Sequence, residues 1–233
     1  MDLQPKNFIK QLSFNTFIPY FYPFMMFPLK FWRRKAIGMM DFKKGDHVLI
    51  PGAGGGHDFA MLPDYVTVTG VDISDIMLGI ARAKAEFMGL SKRVKLVHMD
   101  GENLRFADNS FDKAILGLFL TCVYDPKKAF AEVVRVVKPG GEILIYDHLV
   151  GRKKWATKLL SSMDTILKYN FCSFIREIDI IIEEQPVSII KNIHGDPFGF
   201  VKGFLLCKDR EYKEEVKPKG LFAKLYKHLL NII

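Results

Sequence analysis

Val48-Leu49-Ile50-Pro51-Gly52-Ala53-Gly54-Gly55-Gly56-His57-Asp58, followed by Val68-Thr69-Gly70-Val71-Asp72, decides how this chain folds. A short apolar strand runs into a Gly-x-Gly-x-Gly turn, and a carboxylate closes the next apolar strand 20 residues after Gly52. This spacing predicts a nucleoside pocket at the C-terminal edge of a parallel sheet. Glycines there admit close backbone approach, and the acid accepts both ribose hydroxyls. The dinucleotide fingerprint asks for a third glycine at position 57, which is His57 here. A pyrophosphate is therefore disfavoured, and an adenosyl ligand without phosphates fits better.

Outward from this stretch, strands and helices alternate. Strand-like runs rich in Val, Ile and Leu occupy 46–50, 65–71, 93–98, 111–117 and 142–147. Ser74 and Asp75 open a helix that Gly89 ends, and its spacing puts Ile76, Ile80, Ala83 and Phe87 on one face. Asp125-Pro126 opens another, with Phe130, Val133, Val134 and Val137 facing inward before Pro139-Gly140-Gly141 stops it. Such alternation predicts an α/β, doubly wound, mostly parallel sheet with helices on both faces. Residues 153–184 then read as one or two helices. Two strands, 187–193 and 200–207, flank the turn cluster Gly195-Asp196-Pro197 and are expected to pair antiparallel.

Several spaced motifs carry a resemblance. The glycine turn is followed by Val71-Asp72-Ile73-Ser74 with Met77 downstream. Next come Val97-His98-Met99-Asp100-Gly101-Glu102 and Phe111-Asp112, and last Glu132-Val133-Val134-Arg135-Val136-Val137-Lys138-Pro139-Gly140-Gly141. Over roughly residues 40–207 the chain resembles class I S-adenosylmethionine-dependent methyltransferases. Within them it looks most like bacterial phosphatidylethanolamine N-methyltransferases and quinone C-methyltransferases. The resemblance implies a Rossmann-like, seven-stranded sheet with its last strand antiparallel. It also implies S-adenosylmethionine as cofactor, with S-adenosylhomocysteine as product and no metal. One departure stands out: Ile50 occupies the place where the family usually has Asp or Glu. The run Ile50-Pro51-Gly52 with Asp58 resembles the loop of thiol, halide and thiopurine methyltransferases instead, so Asp58 is expected to replace the missing acid. The alternative for Asp58 is an ordinary acid in the first turn of a helix.

The expected cofactor contacts follow residue by residue. Asp72 binds the ribose diol; Asp100 accepts from the adenine amino group, with Met99 against the ring; otherwise Asp100 caps a helix over 102–106. Pro51, Gly52, Ala53, Gly54 and Gly56 line the methionine portion, Ile73, Met77 and Gly101 border the adenosine, and Gly117 and Leu118 pass beside the sulfonium. A base is expected at the end of the fifth strand, from Tyr146, Asp147 or His148, with His148 favoured for its pKa near neutrality. Tyr124 is a weaker candidate of the same kind.

Three blocks organise the chain: an aromatic helical lid or anchor over 1–40, the cofactor domain over 41–210, and a basic amphipathic C-terminal helix over 211–233. Charge follows the blocks, with a net of +6 over 1–45, −3 over 46–150 and +5 over 151–233. Residues 14–32 are dense in Phe and Tyr, and prolines at 19, 23 and 28 break any long helix, which disfavours a membrane span. Leu221, Leu225, Leu229 and Ile232 share a helical face beside Lys224, Lys227 and His228. Basic, apolar flanks suit an anionic membrane surface better than nucleic acid, because the aromatics cluster rather than alternate with Lys and Arg. Core or dimer packing of both flanks remains the open alternative. Three scattered cysteines form no disulfide framework, and no cleavable leader is visible, which suggests a cytoplasmic chain peripheral to a membrane. The expected acceptor is a lipid or lipophilic small molecule, a phospholipid amine headgroup foremost; small thiols and a quinone-precursor carbon are the rival acceptors, and a non-catalytic cofactor-binding or nucleic-acid-binding protein is the reading from another class.

Overall fold

The computed structural model of the protein describes residues 29–147, 177–194 and 202–210. The elements run α1 (Lys30–Ile37), β1 (His47–Pro51), a 3₁₀ turn (Phe59–Met61), β2 (Thr67–Asp72), α2 (Asp75–Phe87) and β3 (Val94–His98). They continue with β4 (Phe111–Gly117), α3 (Pro126–Val136), β5 (Val137–Asp147), α4 (Ile178–Ile182), β6 (Val187–His194) and β7 (Lys202–Lys208). All seven strands form one sheet in the order β3-β2-β1-β4-β5-β7-β6. β7 lies antiparallel to both β5 and β6, while the other strand pairs of the sheet are parallel. The strand order reverses between β1 and β4. A crevice opens at the C-terminal edge of an α/β sheet at such a switch point.

The central strands are apolar throughout because helices cover both of their faces. Leu49, Ala114, Leu116, Ile143 and Ile145 point to the side packed by α3 (Phe130, Val133, Val134) and α4 (Ile178, Ile181). Their neighbours Val48, Ile50, Ile115, Leu144 and Tyr146 point to the side covered by α1 (Ala36, Ile37), α2 (Ala81, Ala85) and Phe59. The caps stand where the sequence places them. Ser74 Oγ accepts the N–H of Met77, and an Asp125 carboxylate oxygen accepts that of Lys128 ahead of Pro126.

Two expectations need correction. The face of α2 containing Ile76, Ile80, Ala83 and Phe87 points outward, and Phe87 is 93% exposed. Met77, Leu78, Ala81 and Ala85 are the buried set. α2 carries two apolar stripes about 100° apart, and close packing selects between them. A Cβ on Gly56 would already stand 3.3 Å from the Cβ of Ala81, so only small side chains fit against the glycine turn. The second correction concerns Pro139-Gly140-Gly141, which does not stand between helix and strand. β5 begins at Val137, directly after α3. Phe111 pairs with Val137 and Lys113 with Glu142, so residues 138–141 bulge opposite Asp112. The turn cluster 195–197, most of 153–184, the aromatic arm before Leu29 and the C-terminal segment lie outside the described residues. Among the described residues, no helix is long and apolar enough to cross a membrane.

The two stripes of α2 give a direct test by urea unfolding. Met77→Ala should destabilise the protein by about 2–5 kcal/mol, whereas Phe87→Ala should change stability by no more than about 0.5 kcal/mol.

Candidate functional site

β1 ends in the glycine turn at the switch point, where Gly52, Gly54 and Gly56 all take positive φ (65°, 52° and 69°). The turn is tied to β2 by two hydrogen bonds. Ala53 N–H donates to Val71 O (2.9 Å), and Gly54 N–H donates to Asp72 Oδ2 (2.7 Å). The other Asp72 oxygen accepts from Ser74 N–H at 2.9 Å, which fixes the start of α2. Asp72 is buried, and that burial raises its pKa against the pull of the Ser74, Gly54 and Ile73 N–H groups. A carboxylate has about four acceptor positions, so one remains beyond these three backbone donors. Asp72 thus stands at the switch point, where the sequence reading expected a ribose ligand.

Gly52 and Gly101 have a cause that sequence reading missed. A Cβ on Gly52 would fall 2.7 Å from Phe119 Cδ2, and one on Gly101 2.6 Å from Phe119 Cζ. The Phe119 ring, 5% exposed, therefore spans from the glycine turn to the turn after β3. An aromatic directly after Gly117-Leu118 was the available signal. Asp100 caps no helix: its Oδ1 accepts from Glu102 N–H (2.9 Å) and its carbonyl from Asn103 N–H (3.1 Å), which closes a tight turn. Ile73, half-buried, lends its carbonyl to His98 Nε2 at 2.8 Å. Met99 and Met77 lie in the interior at 5% and 1% exposure, and Met99 Sδ accepts from Arg105 N–H. Both methionines are thus part of the packed interior beside the glycine turn and the turn after β3. Pro51 and Ala53 are buried at the strand end.

At the end of β4, Leu118 adopts φ 54° and donates its N–H to Tyr146 O. A left-handed backbone on a non-glycine residue at such a place marks strain held by its surroundings. Gly117 is required by Tyr146, whose Oη would stand 2.0 Å from a Cβ there. Asp147 is fully buried and accepts from Thr121 Oγ1 (2.6 Å) and Thr121 N–H (3.1 Å), so it holds the loop after β4. Glu102 does similar work for the next stretch. Its Oε1 accepts from Tyr124 and Asp125 N–H, and burial raises its pKa. The Tyr124 side chain is 42% exposed at the rim. His148 lies outside the described residues.

Asp58 is neither an exposed helix acid nor open to solvent. Its Oδ1 accepts from Arg33 Nη1 at 2.7 Å and its Oδ2 from Tyr146 Oη at 2.6 Å, with Arg33 and Asp58 only 3% and 5% exposed. Arg33 also stacks over the Tyr146 ring at 5.6 Å. Beside them, Lys84 Nζ lies 3.2 Å from His57 Nδ1. Burial, with Lys84 and Arg33 adding to it, pushes the His57 pKa from 6.5 down to about 4. Among the described residues, no group of three or more His, Cys, Asp or Glu stands together to hold a metal ion.

The fold is the Rossmann-like fold of solved methyltransferases. Residues 49–145 match the methyltransferase domain family. The phosphatidylethanolamine N-methyltransferase of Cereibacter sphaeroides is 36% identical over 110 residues, covering 47% of this chain and 54% of the relative. The ubiquinone/menaquinone biosynthesis C-methyltransferase UbiE of Pseudoalteromonas translucida is 35% identical over 122 residues, covering 51% and 49%. The chain thus spans about half the length of the curated relatives it matches. Among solved structures, the YcgJ protein of Bacillus subtilis superposes with a TM-score of 0.65 at 19% identity. That alignment covers 78% of this chain and 99% of the other.

His57 makes stability depend on pH with a definite sign. Between pH 6.5 and about 4 the unfolded chain binds a proton at this position that the folded chain refuses, so stability falls as pH drops through that window. His57→Gln should flatten this part of the acid limb in thermal melts. An unchanged slope would contradict the assignment.

Proposed function

We propose that the protein is an S-adenosylmethionine-dependent methyltransferase acting on a lipid or lipophilic small molecule, with a phospholipid amine headgroup as the favoured acceptor. The buried Asp72 carboxylate at the β1/β4 switch point, clamped by the Gly54, Ser74 and Ile73 N–H groups with one acceptor position to spare, is the observation that carries the cofactor assignment. In this reading Asp72 takes the ribose diol and Asp100 the adenine amino group. Ile73 covers the ring, the turn 51–56 holds the methionine portion, and Gly117-Leu118 runs beside the reacting centre. The cofactor supplies an activated methyl on a sulfonium, so the protein's task is alignment and exclusion of water. An amine acceptor must shed its proton before attack. His148, next to the buried Asp147, is the group proposed to take it, and Tyr124 stands at the rim.

The similarity to the Cereibacter enzyme supports an amine headgroup. The similarity to UbiE supports a second reading, methylation of a quinone-precursor carbon. Both readings share a lipophilic acceptor, which agrees with apolar, basic segments at the two ends of the sequence. A small-thiol acceptor is the third reading, carried by Pro51 and Asp58.

Transfer from labelled S-adenosylmethionine to phosphatidylethanolamine vesicles, a quinone precursor and small alkyl thiols, assayed side by side, separates these readings. Label in the vesicle lipid supports the amine, and label only in thiols contradicts it. Asp72→Asn should weaken S-adenosylhomocysteine binding about 10- to 100-fold, as expected for hydrogen bonds to a charged acceptor. The ligand-free variant should also melt at a lower temperature, because an amide nitrogen cannot accept the backbone N–H that one carboxylate oxygen now takes from Gly54 or Ser74.

A further inference from the structure

The Arg33–Asp58–Tyr146 chain has no part in the cofactor contacts above, yet it reaches the edge where transfer would occur. We propose that Arg33 is a positioning residue for that edge, acting through Asp58 on both the glycine turn and Tyr146; this rests on the methyltransferase reading. Arg33 comes from α1, ahead of the sheet. Its guanidinium meets a carboxylate 25 positions on, and that carboxylate accepts the hydroxyl of a residue a further 88 positions on. Three segments distant in sequence are thereby fixed to one another: α1, the end of the glycine turn, and the C-terminal end of β5.

The cluster's placement argues for function. A buried ion pair is on average no better for stability than well-packed apolar side chains, so burial alone does not account for one here. Two further cationic or basic groups, Lys84 and His57, crowd the same corner and disfavour another positive charge. Tyr146 Oη lies against Gly117, where a Cβ would be 2.0 Å away, so the hydroxyl occupies the side-chain space of the residue at the end of β4. Leu118, the next residue, is held left-handed and bonded to the Tyr146 carbonyl. Moving Tyr146 would therefore move Gly117 and Leu118. The turn itself is tied to β2 at Ala53 and Gly54 by the bonds described. Asp58 fixes its far end. With Ile50 in place of an acid, Asp58 works through protein partners, with Arg33 on one oxygen and Tyr146 on the other.

Arg33→Met, Arg33→Lys, Tyr146→Phe and the double variant Arg33→Met/Tyr146→Phe in the full chain test this. Tyr146→Phe keeps the ion pair intact, so a folded variant is secured even if Arg33→Met unfolds. The readouts are hydrogen exchange of peptides spanning 52–58 in the ligand-free protein, calorimetric binding of S-adenosylhomocysteine, and kcat against KM. Arg33→Met should speed exchange of the 52–58 peptides. Each single change should lower kcat about tenfold or more, as small misplacements do, with ligand affinity little changed. The double variant should fall no further, because both changes act on one chain of contacts, and Arg33→Lys should retain most of the wild-type rate. Multiplying effects in the double variant, unaltered exchange after Arg33→Met, or a loss seen only in melting temperature would each overturn the proposal. A wild-type chain that fails to bind S-adenosylhomocysteine would instead contradict the methyltransferase reading, while exchange in the ligand-free protein still decides the role of Arg33.

Discussion

The Asp72 carboxylate is the interaction on which the rest of the site depends. One oxygen holds Gly54 of the turn after β1, the other holds Ser74 at the start of α2, and Ser74 in turn caps that helix. A buried charge of this kind is costly to leave without donors, so its two backbone bonds are required wherever the turn is ordered. They place the glycine turn at the switch point of the sheet. Burial raises the Asp72 pKa, and hydroxyl donors from a ligand would favour its charged form. Binding and ionisation at this residue therefore reinforce each other.

A second layer of buried acids keeps the loops around the crevice in place. Asp147 holds Thr121, Glu102 holds the backbone at 124–125, and Asp58 joins Arg33 to Tyr146. Each carboxylate ties together segments that the sequence separates by more than 20 positions. Phe119 does the same job with apolar contact, spanning Gly52 and Gly101. The crevice is thus framed by side chains that need never touch a ligand.

This division explains what was legible in the sequence. The glycine turn, Asp72, the N-caps at Ser74 and Asp125 and the antiparallel last pair could be read, because each is written in neighbouring residues. The outward face of α2 could not, since two apolar stripes compete there and only the close approach of Ala81 to the turn at Gly56 separates them. Arg33 was invisible for a different reason. Amid Arg34 and Lys35 it looks like one more surface cation, and only the folded chain brings Asp58 to it. Asp147 was read as a base from its place at a strand end, whereas Thr121 takes both of its oxygens.

The most direct measurement is a calorimetric titration with S-adenosylhomocysteine beside its analogue lacking both ribose hydroxyls. If the Asp72 corner is the ribose site, the natural nucleoside should bind one per chain and about 10- to 100-fold more tightly than the analogue, as expected for hydrogen bonds to a charged acceptor. Equal affinity for the two, or no binding of either, would contradict the account.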